Sequence, residues 1–122
     1  MKDLYTLPHV VVPEKVSFPY RGGIHFFQAN QIIRLEADSN YTYIFFINHR
    51  PILMAKVLSA YQSLLEPFGF IRTHRSHLIN RLHISSIHNN GDIIMDDKSK
   101  AVISRGKRRA VFSELKNVLQ EV

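Results

Sequence analysis

Alternation of apolar and polar positions dominates the first half of the chain. From Ile32 to Asp38, the residues Ile33, Leu35 and Ala37 fall on one face and Arg34, Glu36 and Asp38 on the other. A period of two is the signature of a strand with one buried face. Ser39-Asn40 marks a turn. The aromatic and β-branched run Tyr41-Thr42-Tyr43-Ile44-Phe45-Phe46-Ile47 then reads as a second strand. Asn48-His49-Arg50-Pro51 turns again, and Ile52-Leu53-Met54 returns, so the three segments predict a meander. Ahead of them, Gly22-Gly23 predicts a turn and Ile24 to Phe27 a short strand. Val10-Val11-Val12 and Val16-Ser17-Phe18 read as edge strands or an extended arm, because Pro13 and Pro19 cannot donate to a central ladder.

The period changes after residue 56. Val57, Leu58, Tyr61, Leu64 and Leu65 recur at helical spacing and predict a helix over 57–65, stopped by Pro67 and Gly69. Strands are expected again at Phe70-Ile71-Arg72, Leu78-Ile79, Ile84–Ile87, Ile93-Ile94-Met95 and Ala101-Val102-Ile103. Asn89-Asn90-Gly91-Asp92 is a strong hairpin signal between two of them. Val111, Leu115, Val118 and Leu119 share one face of a final helix. The pattern is mainly β, with one mid-chain helix and one C-terminal helix. It contains no series of strand, helix and strand that would build a parallel sheet.

Composition narrows the class. A length of 122 residues suits one domain, divided here into an N-terminal arm or edge strands over 1–22 and a main domain over 23–122. There is no Cys, so disulfides and thiolate metal sites are excluded. No apolar run approaches a membrane span of ~18 residues, and the start lacks a signal-peptide stretch. A cytoplasmic location without membrane attachment is the expectation. The net charge is +6, and it is segregated. From Pro67 to Gly91 no acid occurs beside Arg72, Arg75 and Arg81. From Lys98 to Ser113 no acid occurs beside Lys98, Lys100, Arg105, Lys107, Arg108 and Arg109. Such blocks are the footprint of a polyanion-binding surface.

Two stretches carry the candidate chemistry. Arg72-Thr73-His74-Arg75-Ser76-His77-Leu78-Ile79-Asn80-Arg81 combines guanidinium forks, which suit phosphate or guanine, with an amide that suits an adenine edge. A solvated loop bonding its own backbone fits the same residues. Ser104-Arg105-Gly106-Lys107-Arg108-Arg109 places cations at a helix start, where the macrodipole opposes them and a phosphate is welcome. His74 and His77 have no Cys and no nearby acid set, so no metal site is expected. Asp96 and Asp97 point to opposite faces of a strand, and no nucleophile motif occurs, so the chain is not expected to be an enzyme and no cofactor is implied. Tyr41, Tyr43, Phe45 and Phe46 fit either a core or a base-stacking platform for RNA, which makes an RNA-binding domain the alternative function.

These segments together resemble the LytTR family, the DNA-binding domain of bacterial response regulators. The likeness runs from Ile24 to Leu119 and rests on four segments in order. They are Ile33-Arg34-Leu35-Glu36-Ala37-Asp38-Ser39-Asn40-Tyr41-Thr42, Leu64-Leu65, Phe70-Ile71-Arg72-Thr73-His74-Arg75-Ser76-His77-Leu78-Ile79-Asn80, and Ile103-Ser104-Arg105. The resemblance implies an elongated stack of short antiparallel sheets whose loops enter successive major grooves of duplex DNA. It implies a transcriptional regulator of the two-component type, here without a receiver domain, as a possible homodimer on tandem DNA repeats. Carried over by position, Asn80, Arg105 and Thr42 match base-contacting residues. Arg75, Ser76 and Lys107 match residues that meet the DNA backbone. His74, Arg108 and Arg109, in the same basic stretches, join them as expected backbone contacts.

Overall fold

The computed structural model describes residues 14–118 together with the short segments 6–7 and 10–11. Part of the predicted N-terminal arm, and Leu119 with the side chain of Val118, lie outside the described residues. The fold is mainly β, with antiparallel pairing throughout its described sheets. Strands β1 (Thr6–Leu7) and β2 (Val10–Val11) pair with each other. Strands β3 (Lys15–Tyr20) and β4 (Gly23–Gln28) form a hairpin. Its two-residue turn puts Arg21 at φ 51° and Gly22 at φ 75°. Two successive positive φ values match the right-handed twist of the flanking strands. Val16 and Phe18 of β3 are buried in one hydrophobic core with Leu35, Ile44 and Phe70.

The predicted meander is present as β5 (Ile32–Asp38), β6 (Tyr41–Phe46) and β7 (Ile52–Met54). Strands β8 (Phe70–His74) and β9 (His77–Asn80) complete a five-stranded sheet in the order β7-β6-β5-β9-β8. A second sheet, of three strands, comprises β10 (Ile84–Ile87), β11 (Asp92–Met95) and β12 (Lys100–Val102). Helix α1 (Ser59–Leu65) and helix α2 (Arg108–Val118) cover the two sides.

Each face of the large sheet has its own core. Leu35, Ile44, Phe70 and Leu78 pack with Phe18 of β3 and with Leu58, Tyr61 and Leu65 around α1. Ile71 and Ile79 are next in sequence to Phe70 and Leu78, so they point the other way. They join Ile93, Met95, Ala101, Val111 and Leu115 in the second core.

Strict alternation fails at one place on β5. A bulge lies between Ile32 and Arg34, so one extra residue interrupts the ladder. Ile33 therefore leaves the face of Leu35 and enters the second core. Arg34 was expected on a polar outer face. Instead it is buried, bonds Glu36 and Ser99, and stacks its guanidinium 4.1 Å from the centre of the Phe45 ring. Its face is covered because the second sheet and α2 pack there.

The predicted middle helix is also narrower than its apolar residues implied. Leu58, Tyr61 and Leu65 are buried, whereas Val57 and Leu64 are exposed. Val57 precedes the helix, and at 100° per residue Leu64 lies roughly 90° to one side of the buried stripe. A short helix resting on a sheet buries only that stripe.

Candidate nucleic-acid interface

Hairpin β8–β9 turns at Arg75-Ser76, and the turn is propped from within. The Arg72 guanidinium donates to the carbonyls of His74 at 2.8 Å and Arg75 at 2.5 Å, and to Gln62 Oε1 at 2.9 Å. The Ser76 N–H donates to His74 Nδ1 at 3.0 Å. That bond leaves the ring hydrogen of neutral His74 on Nε2. Arg75 is exposed at the tip. An arginine locked beneath thus holds a loop that presents another arginine to solvent.

The second basic stretch is strapped to this turn. The Ser104 N–H donates to the Thr73 carbonyl at 2.8 Å, and Thr73 Oγ1 donates to the Val102 carbonyl at 2.9 Å. Thr73 is fully buried, so both bonds form away from water, where a missing partner would be costly. Immediately after the strap, Arg105–Lys107 forms a 3₁₀ turn that leads into α2. An open groove of about 420 Å³ runs between the two stretches, lined by Gln62, Arg72, His74, Arg75, Ser104 and Lys107. Segments about thirty residues apart in the chain so form one cationic surface.

Chemistry of other kinds finds little footing. The His74 and His77 rings are 5.5 Å apart, but no group of three metal-ligating side chains occurs among the described residues. Burial pushes the pKa of His77 down to about 4, against a smaller upward pull from Glu36, so its ring is neutral near pH 7. No described helix is long and apolar enough to cross a membrane.

The LytTr DNA-binding domain family matches residues 22–116. The chain belongs to the LytTR family. That family is one of DNA-binding domains and not a class of enzymes. Among solved structures, this LytTR domain is similar to the LytTr DNA-binding domain of a Bacillus cereus protein described as a methyl-accepting/DNA response regulator. The TM-score is 0.67 at 23% identity, over 85% of this chain and 97% of that one. No curated protein matches.

The LytTR fold distributes the sequence-predicted residues unevenly. Arg105, Lys107, Arg75 and Arg109 are exposed, and His74 and Ser76 are half-buried beside them. The structure places Asn80 and Thr42 inside the fold. Asn80 is 2% exposed. Its amide donates to the Ile32 carbonyl at 2.9 Å, and its Oδ1 accepts the Leu82 N–H at 3.0 Å. It closes the end of β9 and has no amide left for a base edge. Thr42 is 0% exposed and donates to the Lys56 carbonyl at 2.7 Å. It sits within β6 between Ala37 and Met54, not at a loop tip. Arg108 is half-buried, with its guanidinium against Gly91 and its Nε enclosed without a hydrogen-bond partner among the described residues. It packs the base of α2 and is poorly placed to meet a phosphate. Arg81 forms an ion pair with Glu114 and donates to the Gly69 carbonyl, anchoring α2.

Sequence reasoning missed Thr73 and Arg72 as the supports of the surface. The signal was present, since a threonine and an arginine precede a turn on a paired strand. Their partners Val102, Ser104 and Gln62 are distant in the chain and cannot be read locally.

Proposed function

We propose that this domain reads duplex DNA as a transcriptional regulator through the surface where the β8–β9 turn meets the start of α2. The observation that carries the reading is the Ser104-to-Thr73 hydrogen bond, which joins the two acid-free basic stretches into one face. Arg105 and Arg75 are the base-reading groups. Both are exposed, both follow the end of a strand, and a guanidinium fork pairs two-pronged with guanine O6 and N7. This reading moves Arg75 from its expected role at the DNA backbone to base reading, and the burial of Asn80 supports the move. Lys107, Arg109, Ser76 and the Nε2 edge of His74 meet phosphates, which need charge or a donor but no fixed fork. The two turns enter successive major grooves, and two copies bind tandem repeats in the cytoplasm. An RNA platform on the β6 aromatics is less favoured, because Arg34 already occupies the Phe45 ring face.

Selection from a random duplex pool at stated salt tests the reading, with single- and double-stranded RNA as competitors. One enriched duplex motif, lost in Arg105→Ala and not displaced by RNA, is the expected result. Equal displacement by RNA, or no salt dependence, would overturn it.

A further inference from the structure

We propose that the Asn89 carboxamide is an additional base-reading group, recognising an adenine edge beside the base met by Arg105. The proposal rests on the DNA reading above and extends it to a third loop, the β10–β11 turn.

Two consecutive backbone bonds tie three loops together. The Ile103 N–H donates to the Gly91 carbonyl at 2.8 Å, and the next residue, Ser104, donates to Thr73 at 2.8 Å. The strap that leads into Arg105 is therefore flanked on one side by the β8–β9 turn and on the other by the β10–β11 turn. Gly91 makes the second approach possible. Its φ is 94°, and a Cβ there would lie 2.8 Å from Arg108 Nε. Only a glycine lets this turn sit so close to the base of α2.

The turn is rigid, and its polar groups are used unequally. The His88 N–H donates to the Asp92 carbonyl at 2.8 Å, and the Gly91 N–H donates to the His88 carbonyl at 2.9 Å. Asn90 donates to Asp92 Oδ2 at 3.2 Å and accepts the Asp92 N–H at 3.0 Å. Asn89 is exposed and makes no side-chain hydrogen bond among the described residues. Its backbone does not require asparagine either, since Arg21, Ser39 and Lys98 are the non-glycine residues with positive φ among those described. A hydrogen-bonded turn, joined through Gly91 to the strap that leads into Arg105, thus presents a carboxamide that is not used by the described fold. A carboxamide pairs with adenine in two-pronged fashion, its NH2 donating to N7 and its oxygen accepting from the N6 amino group.

Random-pool selection on the wild type, Asn89→Ala and Asn89→Asp decides the matter. Asn89→Ala is expected to flatten an A·T preference next to the pair that Arg105→Ala relaxes, and to weaken the cognate site by about 5- to 150-fold. Its salt slope and melting temperature should match the wild type. Asn89→Asp should move the preference toward a cytosine N4 donor. An unchanged motif with cognate affinity within about twofold would overturn the proposal while leaving the DNA reading intact. So would a lowered melting temperature with an unchanged motif. A wild type that binds no duplex would instead overturn the DNA reading itself.

Discussion

The two ends of hairpin β8–β9 carry the same kinds of side chain and use them in opposite ways. At the closed end, Asn80 and Arg81 spend their donors on Ile32, Gly69 and Glu114. At the turn end, Arg72 makes a similar set of internal bonds, but the effect is to leave Arg75 in water. Residue type alone does not separate scaffold from reader. The packing partner does, because a buried amide must satisfy itself locally.

Substitutions at the two ends sharpen that contrast. The largest expected effect is at Asn80. Asn80→Ala strands the Leu82 N–H and the Ile32 carbonyl and should cost about 2–4 kcal/mol of unfolding free energy. Denaturant melts check this, and base preference per folded molecule should stay intact. At the turn end, Arg75→Ala, and Arg105→Ala on the adjoining strap, should each cost about 1–3 kcal/mol on the cognate duplex with no change in melting temperature. If Arg75→Ala lowers stability instead, the contrast between the ends collapses.

His77 supplies the next test. Its folded pKa of about 4 lies below the ordinary 6.5, so the unfolded chain takes up the proton first as pH falls. The stability that neutral His77 contributes is present above pH 6.5 and is lost as pH drops toward 4, by up to about 1.4 kcal/mol per unit. His77→Phe should flatten this part of the pH profile in thermal melts. The smallest effect is at Lys107. With Lys107 and Arg109 as the cationic phosphate contacts, the slope of log affinity on log salt should be about −1.8, and Lys107→Ala should reduce it by about one. A cognate-only loss would make Lys107 a base reader.

Much of this architecture was legible in the chain. The meander, the Asn-Asn-Gly turn, both helices and the two basic stretches follow from period, turn chemistry and charge. What escaped was anything set by a distant partner. The bulge beside Ile33 moved one residue to the other core, which a count by twos cannot foresee. Leu64 and Val57 looked like core and are exposed, because a seven-residue helix has only one covered stripe and Val57 lies ahead of it. Asn80 carried the right chemistry for a base edge, and its burial by Ile32, 48 residues earlier, gives no local signal.

The strand order of the large sheet also bears on how the molecule assembles in time. Strands β5, β6 and β7 follow one another and can zip from their own turns, whereas β5 meets β9 only after the whole β7–α1–β8 segment has been passed. Closing that loop costs entropy before any contact repays it, which places the step late in folding. The strap at Ser104 comes later still along the chain. During synthesis, the surface proposed for DNA is thus completed late, and a half-made chain carries its arginines without the frame that holds them.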